Sequence, residues 1–597
     1  MACAISAAAI AWAQPSPGGD DDDPEPAAAT GAAPLAGATV LLARDAPLTV
    51  AWTEAPALTA SMGAVILGEL DHARGGPPPP ALTGDAAGLP PPGWPLALAA
   101  PAAIRAPGPF GAGEKCECKT QLGALPAGRR VAALYALASF PTPPSSADAE
   151  LRVLEIRARY KDGIALWLNG VPVARRNLAT TGPALRLAER LHGPEWETFY
   201  VPITPGLLRA GDNILAAAVH PHGGSLAPFL ELEVLGRRES RVTRGPVVQN
   251  IAATSASIMV ETDLPARVSL AWGPTAALGT TVAAATASGD RHHVFALRDL
   301  PGDASVHYQL TVDGVAGPPY RFATPPRPGE VIRIGIYGDV RGGHATHAKL
   351  VAALGLEAPD LVLASGDLVL RGTDEADWQQ FFTVAGPMLA STPFFSCVGN
   401  HDMGRAGDLS RRFTEIFSVP APGPDHPAGA GWYALDVADV HIVFLDSNAY
   451  SDTAQRAWLE ADLSSPAARK ARAIFAVTHD GPYARGIHGG NKVAARDYVP
   501  VLTNHGVTIL FSGHDHIYQR GQMHGLNYIV SGGGGAPLYR ISCGVPGRPK
   551  CKTDDGMLHA AREHHYVLLT VYPTHAEACA RFLDGTPLEP CVTYPLR

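Results

Sequence analysis

The 597-residue chain has no run of about 18 or more strongly apolar residues, so it offers no membrane-spanning helix. It has no basic excess. Lys and Arg total 47 against 56 Asp and Glu, a formal net charge of −9. No basic patch stands out, which argues against a nucleic acid held through its phosphate backbone. Cysteine is scarce, and no second close pair accompanies the C-x-C of Cys116 and Cys118, so a structural zinc module fails on spacing. The first half lacks a paired set of acidic residues, which sets aside a glycoside hydrolase there. No internal repeat is visible. What remains is a chain too long for a single core, with 46% apolar residues, enough for several globular domains.

Five short stretches in the second half stand out. In order they are Gly338-Asp339-Val340-Arg341, Gly366-Asp367-Leu368-Val369, Gly399-Asn400-His401-Asp402, Thr478-His479-Asp480 and Gly513-His514-Asp515-His516. Each places a metal-capable side chain directly after a short apolar run. A mixture of Asp, Asn and His without Cys suits a pair of divalent or trivalent first-row ions. The preceding runs, 331–337, 360–364, 394–398, 473–477 and 507–511, read as short buried strands. A sixth, 441–445, ends at Asp446-Ser447-Asn448. Strands alternating with helical patterns imply a mainly parallel sheet covered by helices. Sites in such sheets lie beyond the carboxyl ends of the strands. Residues far apart in sequence can therefore share one cleft.

From about residue 331 to the C-terminus the chain resembles a calcineurin-like metallophosphoesterase related to the purple acid phosphatases. Gln455-Arg456-Ala457-Trp458-Leu459 and Ser531-Gly532-Gly533-Gly534-Gly535 fit the same pattern. The resemblance implies a multidomain protein: an α/β metallophosphoesterase domain, a β-sandwich flanked by helices at 330–597, preceded by two all-β sandwich domains. It implies that Asp339 and His516 bind a first metal, that Asn400, His479 and His514 bind a second, and that Asp367 bridges them. A hydroxide between the ions would then attack phosphorus in a mono- or diester. By the same resemblance His401 contacts the phosphoryl oxygens or protonates the leaving group, with Asp402 fixing its ring. Two positions depart from the pattern. Arg341 stands where many relatives have a ligand His. Arginine is not a metal ligand but can clamp phosphate in a bidentate fork. The first metal would then lack one ligand or take it from His344 or His347, of which His347 is favoured. Leu370 stands where the purple enzymes have Tyr, so no tyrosinate-to-iron colour is expected, and iron, manganese and zinc all stay open. His488, on the loop after His479, is a substrate-contact candidate; Tyr483 and Tyr518 are weaker candidates for the mouth of the cleft.

Residues 240–326 alternate between apolar and polar with frequent turns, the pattern of a small β-sandwich. This segment resembles the fibronectin-III-like domain of purple acid phosphatases. Residues 35–238, with the strand–turn–strand at Lys161–Gly170 and the Gly211-Asp212-Asn213 turn, resemble a galactose-binding-like β-sandwich. Such modules often contact glycans, although Trp167 reads as core. Residues 1–13 look like a signal segment without its basic n-region, and 14–34 like a disordered acidic, Pro- and Ala-rich linker. The expected location is secreted or periplasmic. The pairs Cys543/Cys551 and Cys579/Cys591 read as disulfides, Cys116 and Cys118 as bridged or free, and Cys397 as apolar filler. The competing function is an extracellular binding protein on an inactive phosphoesterase fold.

Overall fold

The computed structural model describes residues 39–43, 47–56, 104–107, 110–111, 120–121, 129–141 and 151–597, apart from 179–187, 189–191, 194, 223–227, 285–289, 405–410, 421–430, 545–550 and 552–553. The signal-like segment 1–13, the linker 14–34 and the Cys116/Cys118 pair lie outside the described residues.

Two sandwiches precede the α/β part. In the first, strands Trp196–Pro202, Val153–Lys161 and Phe229–Arg237 build one sheet, and Pro47–Pro56, Arg129–Pro141, Asp212–His220 and Gly163–Leu168 are central to the other. Ile156, Tyr160 and Leu230 of one face meet Leu134, Phe140 and Val219 of the other in a shared core. Trp167 is buried on the opposite face against Tyr135, Leu178 and Ala218, so it is core rather than an exposed platform. In the second sandwich, a three-stranded sheet (Val242–Ala252, Ser255–Thr262, His292–Leu297) packs on a four-stranded one (Thr280–Ala283, Val268–Gly273, Ser305–Val312, Val315–Ala323). Buried and exposed positions alternate along Ser305–Val312 because one face alone meets the core.

The catalytic-type half holds two facing sheets. The first runs Phe394–Ser396, Leu361–Ala364, Ile332–Tyr337, His565–Val571, His575–Phe582, Val592–Pro595. Its first three strands are parallel and the rest antiparallel. The second runs Tyr433–Val437, Val440–Phe444, Ala473–Val477, Ile509–Ser512, Leu526–Ser531, Tyr518–Met523, Met557–Ala561, with four parallel strands inside. Ile334, Leu363 and Phe395 meet Ile442, Phe475 and Phe511 between the sheets. The outer face of the first is covered by helices His344–Leu356 and Glu375–Leu389, and that of the second by Thr453–Leu463 and Val499–Asn504. The apolar runs alone read as one mainly parallel sheet; the structure divides them between two. The division arises because the C-terminal strands return as antiparallel hairpins beside Ile332–Tyr337. Parallel strands buried on both faces are apolar throughout, as in Ala473–Val477, and such a run carries no mark of which sheet it joins.

Among the described residues, Cys543–Cys551 and Cys579–Cys591 are disulfides, and Cys397 is a free, buried thiol in the core between the sheets. No helix among the described residues is long and apolar enough to cross a membrane.

Candidate metal centre

The ligand stretches follow the carboxyl ends of Ile332–Tyr337, Leu361–Ala364, Phe394–Ser396, Ala473–Val477 and Ile509–Ser512, which draws five distant loops together. Asp339, Arg341, Asp367 and His514 all have positive φ, between 44° and 68°. Such left-handed backbone is uncommon for non-glycine residues and clusters at functional sites. Here it bends each loop sharply after its strand, so the side chain turns back over the sheet ends. The loops brace one another. Asp339 N donates to Gly366 O at 3.0 Å, Gly534 N to Gly338 O at 2.8 Å and Ala536 N to Asp339 O at 2.9 Å. A Cβ at Gly534 would overlap the Gly338 carbonyl, so the glycine run permits this close backbone approach.

Asp339, Asp367 and His479 are all buried, with ligand atoms within 4.8 Å of one another. His479 Nε2 lies 3.3 Å from Asp367 Oδ1, 3.0 Å from Asn400 Oδ1 and 3.2 Å from His514 Nδ1. His516 Nε2 lies 3.5 Å from Asp339 Oδ1. The other ring nitrogens of these two histidines are occupied: His479 Nδ1 donates to Ser365 O at 2.9 Å and His516 Nδ1 to Pro537 O at 2.7 Å. Both rings are thereby held with Nε2 facing inward, the arrangement that orients metal-binding histidines.

The electrostatics show what is missing from such a cluster. Burial, reinforced by the Asp367 charge, pushes the Asp339 carboxyl well above its ordinary range. Burial also works to raise Asp367, but His479 and His401 outweigh it and hold that carboxyl below its ordinary range. Burial opposes charge on His479, yet Asp367 and Asp339 lift its ring to about 10. His514 and His516 are pressed down to about 3, by burial first, then by the charge of His479 on one and of Arg341 on the other. Two carboxylates, an amide oxygen and three imidazoles thus face one small volume, where the Asp339 carboxyl and the His479 ring both favour holding a proton. Divalent cations satisfy all of these donors at once, so the residues fit a metal pair.

Residues 332–518 match the calcineurin-like phosphoesterase family. Residues 239–328, across the second sandwich, match a domain of unknown function. Over 242 residues the chain is 28% identical to purple acid phosphatase 22 of Arabidopsis thaliana, covering 39% of this chain and 54% of that protein. Over 252 residues it is 28% identical to purple acid phosphatase 1 of Ipomoea batatas, covering 39% and 52%. The chain therefore spans about half the length of these curated relatives. Its fold is similar to that of a purple acid phosphatase from yellow lupin seeds, with a TM-score of 0.54 at 15% identity, covering 81% of this chain and 95% of that one.

Several side chains of the phosphoesterase domain take places that differ from the sequence-based expectation. Asp402 does not touch the His401 ring. Its Oδ1 accepts from Leu368 N at 2.7 Å and Val369 N at 3.2 Å, and its Oδ2 from Asp367 N at 2.8 Å and Gly399 N at 2.9 Å. The carboxylate braces the Asp367 loop, because that loop's sharp bend presents successive N–H groups to one acceptor. The His401 ring is held instead by the Leu370 carbonyl, which accepts from Nδ1 at 2.7 Å. His347 is not a replacement ligand. It is fully buried, stacked on Phe381 and 3.3 Å from the Tyr337 hydroxyl, since its helix face turns into the core. Burial presses its ring down to about 3. His344 opens the same helix, half-buried. Tyr518 is buried with its hydroxyl on Glu589 at 2.5 Å, and Tyr483 packs on Tyr528, so both belong to the core rather than the mouth.

Arg341 is buried, with its guanidinium 3.3 Å from the Tyr539 hydroxyl. His488 is exposed at the rim beside His514, with ring centroids 4.3 Å apart. Sequence reasoning missed Tyr539 and gave no role to Asp515 or Gln455, although both lie in the stretches it singled out. Tyr539 stacks on His516 at 3.9 Å and meets His488 edge-on at 5.4 Å. Asp515 accepts from Gly486 N, His488 N and Gly489 N and so carries the His488 loop. Gln455 clasps the backbone of Asp446, whose neighbour Asn448 reaches the Gly399 carbonyl. Asp515 was findable as the residue between the two histidines of one ligand stretch. Tyr539 lies 23 positions beyond His516 and carries no local signal.

Proposed function

We propose that this chain hydrolyses small phosphate esters at a dinuclear metal centre. The convergence of Asp339, Asp367, Asn400, His479, His514 and His516 lone pairs on one volume carries this reading. Asp339 and His516 would hold a first ion and Asn400, His479 and His514 a second, with Asp367 available to both. When bound, the ions screen the phosphoryl oxygens and lower the pKa of water so that hydroxide is available near neutral pH. The protein's own groups do the rest. Arg341, buried and pinned by Tyr539, presents its guanidinium to the phosphate, where a fork-shaped donor set fits two oxygens. His488 closes the rim. His401, with Nδ1 committed to Leu370 O, keeps Nε2 for the substrate and the leaving oxygen; burial lowers its ring from an ordinary 6.5, so the protonated form that delivers a proton there is favoured at acid pH. Asp402 acts through the backbone of the Asp367 loop. Two disulfides suit an oxidising compartment, so we place the protein in a secreted or periplasmic setting.

A binding protein on an inactive fold has a single feature in its favour, Arg341 in place of a ligand histidine. Against it stands the buried pair of carboxylates, which costs stability without a cation. The deciding experiment is hydrolysis of aryl phosphate mono- and diesters by metal-analysed protein beside Asp367→Ala. Turnover that requires about two ions per chain and disappears in the variant supports the proposal and ranks the two ester classes. Fewer than one ion with no turnover overturns it.

A further inference from the structure

The segment 370–379 has two faces. On one, the Leu370 carbonyl accepts from His401 Nδ1 at 2.7 Å, and Gly372 N donates to the His401 carbonyl at 2.6 Å. The turn lies so close over this histidine that a Cβ at Gly372 would overlap the Asp402 carbonyl. Trp378 Nε1 donates to Gly372 O at 2.8 Å and ties the turn to the following helix.

The other face is docked on the first sandwich. Gln379 bonds the backbone of Thr198 in both directions, as acceptor at 3.0 Å and donor at 3.0 Å. Thr198 lies on Trp196–Pro202, the outermost strand of its sheet, so a side-chain amide takes the place of a neighbouring strand. Asp374, the N-cap of helix Glu375–Leu389, pairs with His192 Nε2 at 3.4 Å. His192 is fully buried and stacked on Tyr160 at 4.5 Å, with rings nearly parallel. Tyr160 bonds Glu197 at 2.5 Å, and Arg176 pairs with Glu197 at 2.6 Å. Arg371 reaches Glu195 at 3.7 Å. His192, Glu197 and Asp374 approach closely enough for a metal, but Arg176, Arg371 and Tyr160 already neutralise or bond the two carboxylates. The cluster is a clasp between domains. The second sandwich grips the same helix start through the Arg244–Glu375 pair.

We propose that the first β-sandwich is a positioning element for His401, with His192 and Gln379 as positioning residues that hold the 370–374 turn against it. This rests on the assignment of His401 to the leaving oxygen. The fixed sandwich edge holds Asp374 and Gln379, these hold the turn, and the turn's carbonyl fixes the imidazole plane. A catalytic acid displaced by about 1 Å loses much of its effect.

The test uses the full-length, metal-loaded chain with Gln379→Ala and His192→Phe, singly and together; phenylalanine keeps the stack on Tyr160. Protonation of the leaving oxygen matters for an alkyl phosphate and little for 4-nitrophenyl phosphate, whose phenolate leaves unaided. In the double variant kcat for the alkyl ester is expected to fall at least about tenfold. KM, the metal content and kcat for 4-nitrophenyl phosphate are expected to stay within about twofold. His401→Ala should show the same split, more strongly. A split in His401→Ala but none in the clasp variants overturns the positioning role and leaves the phosphoesterase reading intact. No split in His401→Ala overturns both the leaving-group role and the inference built on it. Equal loss for both esters marks the clasp as merely structural. Gln379→Ala alone, which leaves the buried His192 network whole, gives the same readout if the double variant fails to fold.

Discussion

Replacing Asp402 with asparagine tests the revised role of this residue. Its carboxylate holds four backbone N–H groups at 2.7–3.2 Å, two on each oxygen. Asparagine keeps one oxygen and turns an NH₂ group toward the other pair of donors. Two buried N–H groups then lose their acceptor, at about 1–3 kcal/mol each, or roughly 2–6 kcal/mol together. About 2–4 °C per kcal/mol applies to a domain near this size, so the unfolding transition of the phosphoesterase half should drop by roughly 5–20 °C. Asp367 leads the bent loop, so its carboxylate should shift and metal content should fall below two ions per chain. Differential scanning calorimetry and metal analysis read both effects. His401→Ala is the contrast: turnover of an alkyl phosphate lost by about 10²–10⁴-fold with both metals retained. If D402N keeps its metals and its transition temperature while losing turnover as His401→Ala does, the bracing argument is wrong and Asp402 acts through the His401 ring after all.

Arg341→Met should raise KM for a phosphate monoester by about 10-fold or more while metal content is unchanged, since a charged hydrogen bond is worth about 1.5–3 kcal/mol; an unchanged KM removes Arg341 from substrate binding. Chelation of the loaded protein should lower its transition temperature, because Asp339 and Asp367 are then buried without a cation, and readdition of zinc, manganese or iron should restore it; a transition indifferent to chelator argues against resident metal. His441 is held by Asp436 and Asp462 at 2.8 Å each; burial opposes its charge, but the two carboxylates lift it from an ordinary 6.5 to about 9. A raised folded-state pKa gives stability that is fully present below about pH 6.5 and is lost as pH rises through about 9. Asp436 is half-exposed, so the effect should be about 1–2 kcal/mol; urea midpoints of wild type and His441→Gln should therefore converge between pH 6 and 10, and parallel curves would refute the pairing.

What the chain declares by itself is local. Ligand types, their order, and the apolar run before each are all within a few residues of one another, because a strand followed by a sharp turn is a short-range pattern. The C-terminal cysteine pairs are legible for the same reason: each closes a short loop, with separations of 8 and 12 residues. The division of buried runs between two sheets was not legible, since Ala473–Val477 and Leu361–Ala364 are both apolar throughout and differ in which neighbour they pair with. The directions of polar side chains were not legible either. Asp402 sits beside His401 in sequence, yet it faces the N–H groups of a loop some 35 positions away. His347 lies near the ligands in sequence, yet helix phase turns it into the core against Phe381. Tyr539 reaches His516, and Gln379 the edge of a sandwich 181 positions upstream, through contacts made after the sheets are assembled. Residue chemistry and short-range periodicity are carried by the sequence. Which donor meets which acceptor depends on the packing of distant backbone, and tertiary structure alone decided it.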